Sequence, residues 1–456
     1  MRQTLLAATA IAALLSASAR AEEQEYPATL VGHAILPAAT FIKPPADAPS
    51  SLATAGKYTT PDRHRADILG SVPGMDGVRP TGLSVPFDGQ AVQGFSGIKL
   101  AEDGTFWSLS DNGFGNKLNS VDAALMLHHL KIDWEQGKVE RVETIFLSDP
   151  EKKVWFPIVN EGTKERYLTG ADFDIEGIQP VADGFWIGDE FGPFFVKVDK
   201  AGKVVAVVDT IVDGKPVKSP DHPTMTLQAN PTLPVPAFNL TRSGGYEGLA
   251  QSKDGTKIYG LLEGALFLED GTMEMVDGNR VFRIVELDAA TATLTGRTWL
   301  YRLSDGGDAI GDFNMIDETT ALVIERDQGA GTPDKACPDP KAPTPDCFAT
   351  PAKFKRIYKI EFGDGNVGQP VTKIGYIDLL NIKDPDNVKR QGGGEGFYDM
   401  PFNTIENVDI VDATHIIVAD DNNLPFSAGR TLDKADDNEF VLLEVGDFLK
   451  AEAASQ

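Results

Sequence analysis

Residues 246–264 read YEGLAQSKDGTKIYGLLEG. Glu247 opens a short apolar strand, Lys253-Asp254-Gly255 supplies a tight turn, and the strand that follows ends on Glu263. The plan returns four times, as FSGIKLAEDGTFWSLSDNG at 95–113, DIEGIQPVADGFWIGDEFG at 174–192, GDFNMIDETTALVIERD at 311–327 and IENVDIVDATHIIVADDN at 405–422. Paired strands with turn residues between them, repeated along one chain, predict an all-β fold: a β-propeller, a radial array of small antiparallel sheets.

Working outward from each hairpin, further alternating segments complete four-stranded blades. LMLHHLKIDW from Leu125 and VERVETIFL from Val139 follow the first hairpin, and FFVKVD from Phe194 and KVVAVVD from Lys203 the second. RVFRIVEL from Arg280 and TGRTWLYRL from Thr295 follow the third, and KRIYKIEF from Lys355 and VTKIGYIDL from Val371 the fourth. Each alternates apolar and polar residues as half-buried strands do. The last unit has only EFVLLEV from Glu439, so its outermost strand is missing. TLVGHAIL from Thr29 is the expected replacement, closing the ring by pairing the two ends of the chain and removing an open edge. Five repeats are visible; a sixth blade would have to come from the poorly patterned segments 37–93 or 213–244.

At 456 residues, the repeat favours one large domain, 22–456, over several small ones. Residues 1–21 read as a secretory signal: a basic Arg2, an apolar run over 5–15 too short for a bilayer, and Ala19-Arg20-Ala21 as a small-x-small cleavage site. The expected location is periplasmic or secreted, with no membrane-spanning segment. Cys337 and Cys347, the only cysteines, flank a Pro-rich loop and are expected to pair in an oxidising compartment. The net charge of −26 becomes −28 once Arg2 and Arg20 leave with the signal and no acid does. Such a charge opposes association with nucleic acid or anionic membrane surfaces.

In a four-stranded blade the first strand starts, and the second ends, on the same face of the disc. That places Ser96, Glu176, Glu247, Asp312 and Glu406, together with Asp111, Asp189, Glu190, Glu263, Glu325, Asp327, Asp420 and Asp421, around one mouth of the central channel. The long insertions 148–171, 213–245, 328–354 and 380–404 are expected on the same face, where loops carry binding and catalysis. Carboxylates gathered so closely repel one another and demand a cation. Hard oxygen donors without His or Cys point to Ca²⁺, which accepts six to eight oxygens in irregular geometry, ahead of Mg²⁺, which wants a near-ideal octahedron. The expected metal ligands are Glu176, Asp189, Glu247, Glu325, Glu406, Asp111 and Asp420.

The ordered hairpins SGI…WSLSDNG, DIEGI…WIGDEFG, YEGLA…LLEG, ALVIERD and IENVDI…VADDN resemble the phytase-like family, described by esterase-like activity, from about residue 94 to 445. The resemblance implies a propeller, export, and calcium-dependent hydrolysis of phosphate or other esters. A small anionic or ester substrate is then the expected partner. The catalytic set expected from the residues is Glu247, Glu325, Asp189 and Arg326, the last as an oxyanion contact because guanidinium matches phosphate bidentately. Strand alternation warns that Arg326 points away if Glu325 and Asp327 face the channel. Arg242, His222 and Arg390, on rim loops, are the expected substrate-binding residues. No G-x-S-x-G elbow occurs, so a serine-hydrolase triad has no anchor. Two alternatives stay open: a calcium-stabilised binding protein, and a lactonase-type site using Asn112 or Asn407 as ligands.

Overall fold

The computed structural model describes residues 23–59, 70–225 and 237–453. The signal segment proposed for 1–21 lies outside them. Among the described residues the chain is all-β, with one short α-helix, Gly446–Lys450, and three single 3-10 turns.

Each repeat forms the first two strands of a four-stranded antiparallel sheet. The first sheet runs Phe95–Leu100, Phe106–Ser110, Met126–Asp133 and Lys138–Phe146. The second runs Ile175–Val181, Gly184–Asp189, Phe194–Asp199 and Val204–Asp209. The third runs Tyr246–Gln251, Lys257–Leu262, Asn279–Asp288 and Thr293–Arg302. The fourth runs Ala309–Met315, Thr320–Arg326, Lys355–Glu361 and Thr372–Asp378. The fifth runs Thr404–Ile410, His415–Asp421 and Asn438–Glu444, and its fourth strand is Thr29–Leu36, antiparallel to Asn438–Glu444. One parallel pair, Lys138 with Ile35, links this N-terminal strand to the first sheet.

The inner strands of each sheet are buried on both faces against neighbouring sheets, which is why the second strands read as largely apolar runs. In Ile416-Ile417-Val418-Ala419, Ile416 and Val418 pack with Leu322 and Ile324 of the fourth sheet. Ile417 and Ala419, on the opposite face, pack with Phe95 and Ile98 of the first, as the two-residue period of a strand requires. Separate cores join sheets one and two through Leu109 and Ile187, two and three through Phe195 and Leu249, and three and four through Trp299 and Phe313. The packing of successive sheets is therefore propeller-like.

Glycine lets the first strands meet at the centre. A Cβ on Gly177 would stand 2.7 Å from the Cβ of Leu249, and one on Gly248 2.6 Å from that of Phe313. Below this level a buried polar layer crosses the axis. Asp312 accepts the backbone N–H groups of Val408 (3.0 Å) and Ile98 (3.3 Å). Asn314 donates to the Val408 carbonyl at 2.8 Å and accepts from Gln179 at 2.8 Å and Lys99 at 3.0 Å. Side chains from three sheets, with backbone groups of the first and fifth, thus plug the centre below the acid face, whose axial carboxylates form the bowl.

Among the described residues, neither segment considered for a sixth blade holds a four-stranded sheet. Within 37–93 the strands form two-stranded pairs: Phe41–Ile42 with Gln90–Ala91, Thr54–Ala55 with Phe87–Asp88, and Val72–Asp76 with Arg79–Val85. They pack through Ala55, Val85 and Phe87 on Phe114, Leu424 and Phe426, covering the acid-face ends of the first and fifth sheets. The sequence gives little sign of this cap, because its strands are short and its contacts distant. The 380–404 segment also departs from expectation. Its Ile382–Lys383 stretch pairs with Thr29 and with Phe397–Tyr398, so it runs down the outside of the fifth sheet before returning. Cys337 and Cys347 are disulfide-bonded. No described helix is long and apolar enough to cross a membrane.

Candidate functional site

Cross-strand register decides which acids reach the bowl. In the third sheet Tyr246 pairs with Leu262 and Gly248 with Leu261, leaving Glu247 as the extra residue of a bulge. In the fifth, Ile405 pairs with Asp420 and Asn407 with Ala419, leaving Glu406 extra. In the second, Glu176 and Gly177 stand opposite the single residue Gly188, between the pairs Ile175–Asp189 and Ile178–Ile187. A bulge bends the strand and re-aims its extra side chain. These three glutamates turn towards the axis in this way.

The same register removes three expected ligands. Asp189, Glu325 and Asp420 pair directly with Ile175, Ile310 and Ile405. Directly opposed residues share a face, and those isoleucines point into the cores between sheets. Asp189 accepts the N–H groups of Asp174 (2.9 Å) and Gly192 (2.7 Å), holding the turn. Glu325 accepts from the Tyr301 hydroxyl at 2.7 Å and the Ser304 N–H at 2.6 Å, and is ion-paired with Lys373. Asp420 accepts the Glu439 N–H at 2.6 Å. Each therefore anchors structure beside the bowl rather than lining it.

The residue after each, on the opposite strand face, is the one that lines it: Glu190, Arg326 and Asp421, with Asp111 and Glu263 at the matching positions of the first and third sheets. Arg326 consequently points inward, the reverse of what alternation from Glu325 suggested. Its Nη2 donates to Glu406 at 2.8 Å and to Glu263 at 3.4 Å, and its Nε is buried without a partner. Asp312 lies one residue beyond the position of the bulged glutamates, in the polar plug. Asp327 accepts the N–H groups of Lys353 (2.8 Å) and Phe354 (3.1 Å), holding the base of the disulfide loop.

Two groups of carboxylates come together, Asp174 with Glu176 and Glu190, and Glu190 with Glu247 and Glu263, each offering oxygens within 4.8 Å of one another. Asp174, just ahead of its strand, escaped the sequence reading, which took Glu176 as the residue opening the first strand of that repeat. Three oxygens here are buried without a partner: Asp174 Oδ1, Glu190 Oε1 and Glu247 Oε1. A second cation also escaped. Lys117 extends from the loop after Asp111-Asn112, with its ammonium 4.7 Å from the centre of the Phe191 ring and in the field of Asp189, Asp221, Asp172 and Asp174. It makes no ion pair or hydrogen bond among the described residues.

The rim residues are not drawn in. Arg242 is ion-paired with Asp221 and its side chain is 57% exposed. His222 accepts the Thr224 N–H at 3.1 Å and packs on Phe194 and Trp155 at the edge of the second sheet. Arg390 donates to the Glu135 carbonyl at 2.6 Å, at the outer edge of the first sheet, because its segment runs down the outside. The amide oxygens of Asn112 and Asn407 are also engaged, by the N–H groups of Phe114 and Gly115 and by the Ser108 hydroxyl.

Burial, then mutual repulsion, sets the charge state of the bowl. Asp111, Glu176, Glu190 and Glu247 are all held well above the usual carboxylate range by desolvation, reinforced by their neighbours' charges. Burial pushes Asp174 to about 6, Glu263 to about 7 and Asp421 to about 8. Each carboxyl thus binds more protons folded than it does unfolded, where its pKa is about 4. Stability therefore falls as pH rises from about 4 through about 8. In chelator, the melting temperature is expected to drop between pH 5 and pH 8. A divalent cation would bind the deprotonated form, so the gain proposed for added calcium would grow over the same interval. Calorimetry with and without EGTA reads both, and a chelator-treated protein that gains stability towards pH 8 contradicts the expectation.

The phytase-like family model, described as "Esterase-like activity of phytase", matches residues 90–424. The chain belongs to this family. The match begins just before the first sheet and ends just past Asp421, spanning every carboxylate of the bowl. An uncharacterized secreted protein of Arthroderma benhamiae is 30% identical over 135 residues, which are 26% of this chain and 25% of that protein. A luciferin-regenerating enzyme aligns at 12% identity over 80% of this chain and 94% of its own, with a TM-score of 0.32. The Pseudomonas aeruginosa periplasmic gluconolactonase PpgL aligns at 10% identity over 85% and 98%, with a TM-score of 0.28. Structural similarity of that degree says nothing of activity.

Proposed function

We propose that the protein is an exported, calcium-dependent ester hydrolase acting on phosphate esters, built as a single five-bladed propeller closed by its N-terminal strand. The observation that carries this reading is the pair of carboxylate groups sharing Glu190, with unpartnered oxygens on Asp174, Glu190 and Glu247. Buried acceptors without donors are costly, and an all-oxygen donor set of this kind suits Ca²⁺. Asp174, Glu176, Glu190, Glu247 and Glu263 would hold the ion or ions. When bound, Ca²⁺ supplies Lewis-acid polarisation and neutralises charge on the phosphoryl oxygens.

The chain's own residues complete the chemistry. Arg326, pinned by Glu406 and Glu263, presents its unpartnered Nε to a phosphoryl oxygen. Lys117 approaches from the other side of the bowl with a second positive charge. The polar plug under the site restricts entry to the acid face. Export is supported by the disulfide, which suits an oxidising compartment, and by the name of the Arthroderma relative.

The test is turnover of an aryl phosphate, a phosphodiester, a carboxylate ester and a lactone, in calcium and in EGTA. Hydrolysis of the phosphate ester that EGTA abolishes is the expected result. No turnover on any substrate, with a calcium-dependent rise in melting temperature, would instead establish a binding protein. Lys117→Met is expected to raise KM for the aryl phosphate about tenfold, the effect of losing about 1.4 kcal/mol of charge attraction. An unchanged KM would remove Lys117 from the site.

A further inference from the structure

A cavity of about 270 Å³ lies where the 72–85 hairpin of the cap meets the loops that follow the second strands of the fourth and fifth sheets. It is walled by Gln328, Thr350, Asn403 and Asn423, and by Cys347 and Pro343 of the disulfide loop. Its connection to the acids is direct. Gln328, two residues past Arg326, accepts from the Arg326 Nη1 at 3.5 Å, and the Asn423 N–H, two residues past Asp421, donates to Asp421 at 2.8 Å. Two residues of the cavity wall are thus hydrogen-bonded to residues at the acid mouth.

The wall has a definite chemistry. Its only charged residues, Asp76 and Arg79, are paired with each other; Arg79 also donates to the Ala428 carbonyl at 2.6 Å and lies over the Phe348 ring. The Asn403 amide and the Thr350 hydroxyl make no hydrogen bond among the described residues; Thr350 is exposed and Asn403 half-buried, so both are open to solvent and free to bind the hydroxyls of a ligand. A volume near the low end of ligand pockets, roughly 300–1,000 Å³, fits a fragment rather than a whole large substrate. With no unpaired cation in the wall and a bowl of carboxylates next door, a second phosphate group would find no counter-charge and would be repelled.

We propose that this cavity is the subsite for the alcohol side of the ester, and that it selects a small, neutral, polyhydroxylated group over a polyphosphorylated one. Its identity as a leaving-group subsite rests on the hydrolase reading; its affinity for a neutral polyol does not. The disulfide, by fixing Pro343 and Cys347, holds one wall of the subsite in place.

Saturation-transfer NMR with sorbitol tests the cavity without turnover. Transfer is expected from the wild-type protein, is expected to disappear in Thr350→Trp, which fills the space, and to weaken in Asn403→Ala, which leaves the fold undisturbed. In kinetics, Thr350→Trp is expected to raise KM for sorbitol 6-phosphate at least tenfold and that for methyl phosphate less than twofold. Absence of transfer from the wild-type protein, or transfer unchanged in both variants, overturns the assignment. Sorbitol binding without hydrolysis of either phosphate would defeat the hydrolase reading while leaving the polyol subsite standing.

Discussion

Glu247→Gln is expected to abolish turnover and at the same time to stabilise the chelator-treated protein. The two effects have one origin. Glu247 is the bulged residue of the third sheet, buried, with one oxygen unpartnered and its charge opposed by Glu406, Glu263 and Glu190. A neutral amide at that place removes repulsion from the metal-free bowl, so the melting temperature in EGTA rises. It also removes an anionic ligand from the carboxylate group that would hold calcium, so the stabilisation proposed for calcium would shrink. Loss of at least about 100-fold in kcat/KM, about 2.7 kcal/mol of transition-state stabilisation, is the expected kinetic outcome. Glu325→Gln is the control, because that carboxylate faces Tyr301, Ser304 and Lys373 and should leave turnover within about twofold of wild type. Equal losses in the two variants would mean that the register argument assigns the wrong side of the strand.

Arg326→Leu is expected to have the largest effect on stability. Arg326 is the only basic residue among the five at the ends of the second strands, the others being Asp111, Glu190, Glu263 and Asp421. Breaking a buried ion pair by removing one partner costs about 3–5 kcal/mol, because the other charge is left uncompensated. Here Glu406 and Glu263 both lose their counter-ion. The cost should be greatest near pH 8 and smaller near pH 5, where Glu263 and Asp421 are protonated. Denaturant titration at the two pH values reads the difference. A pH-independent loss would point to packing alone, and no loss at pH 8 would contradict the ion-pair assignment.

Comparison of Glu325 with Arg326 shows how far the sequence reaches. The repeat, the strand periods, the pairing of Thr29–Leu36 with the last sheet strand, the disulfide and the gathering of acids at one mouth are all legible, because each follows from local pattern or from the topology that five similar units must share. Glu247, Glu176 and Glu406 could be selected for the same reason: each occupies the same place in its hairpin. The choice between Asp189 and Glu190, between Glu325 and Arg326, and between Asp420 and Asp421 could not. Adjacent strand residues face opposite ways, and a one-residue bulge changes which of them faces the axis, so phase is set by pairing between strands rather than by either strand alone. Lys117, Asp174 and the cap from 37–93 were hidden for a related reason, since their positions depend on loop paths and on contacts with distant parts of the chain. The amino-acid sequence by itself determined an acidic, repeated all-β fold with its acids gathered at one face. Only the tertiary structure decided which oxygens and which cations share that face, because a carboxylate's environment is made by the neighbouring sheets that exclude water from it.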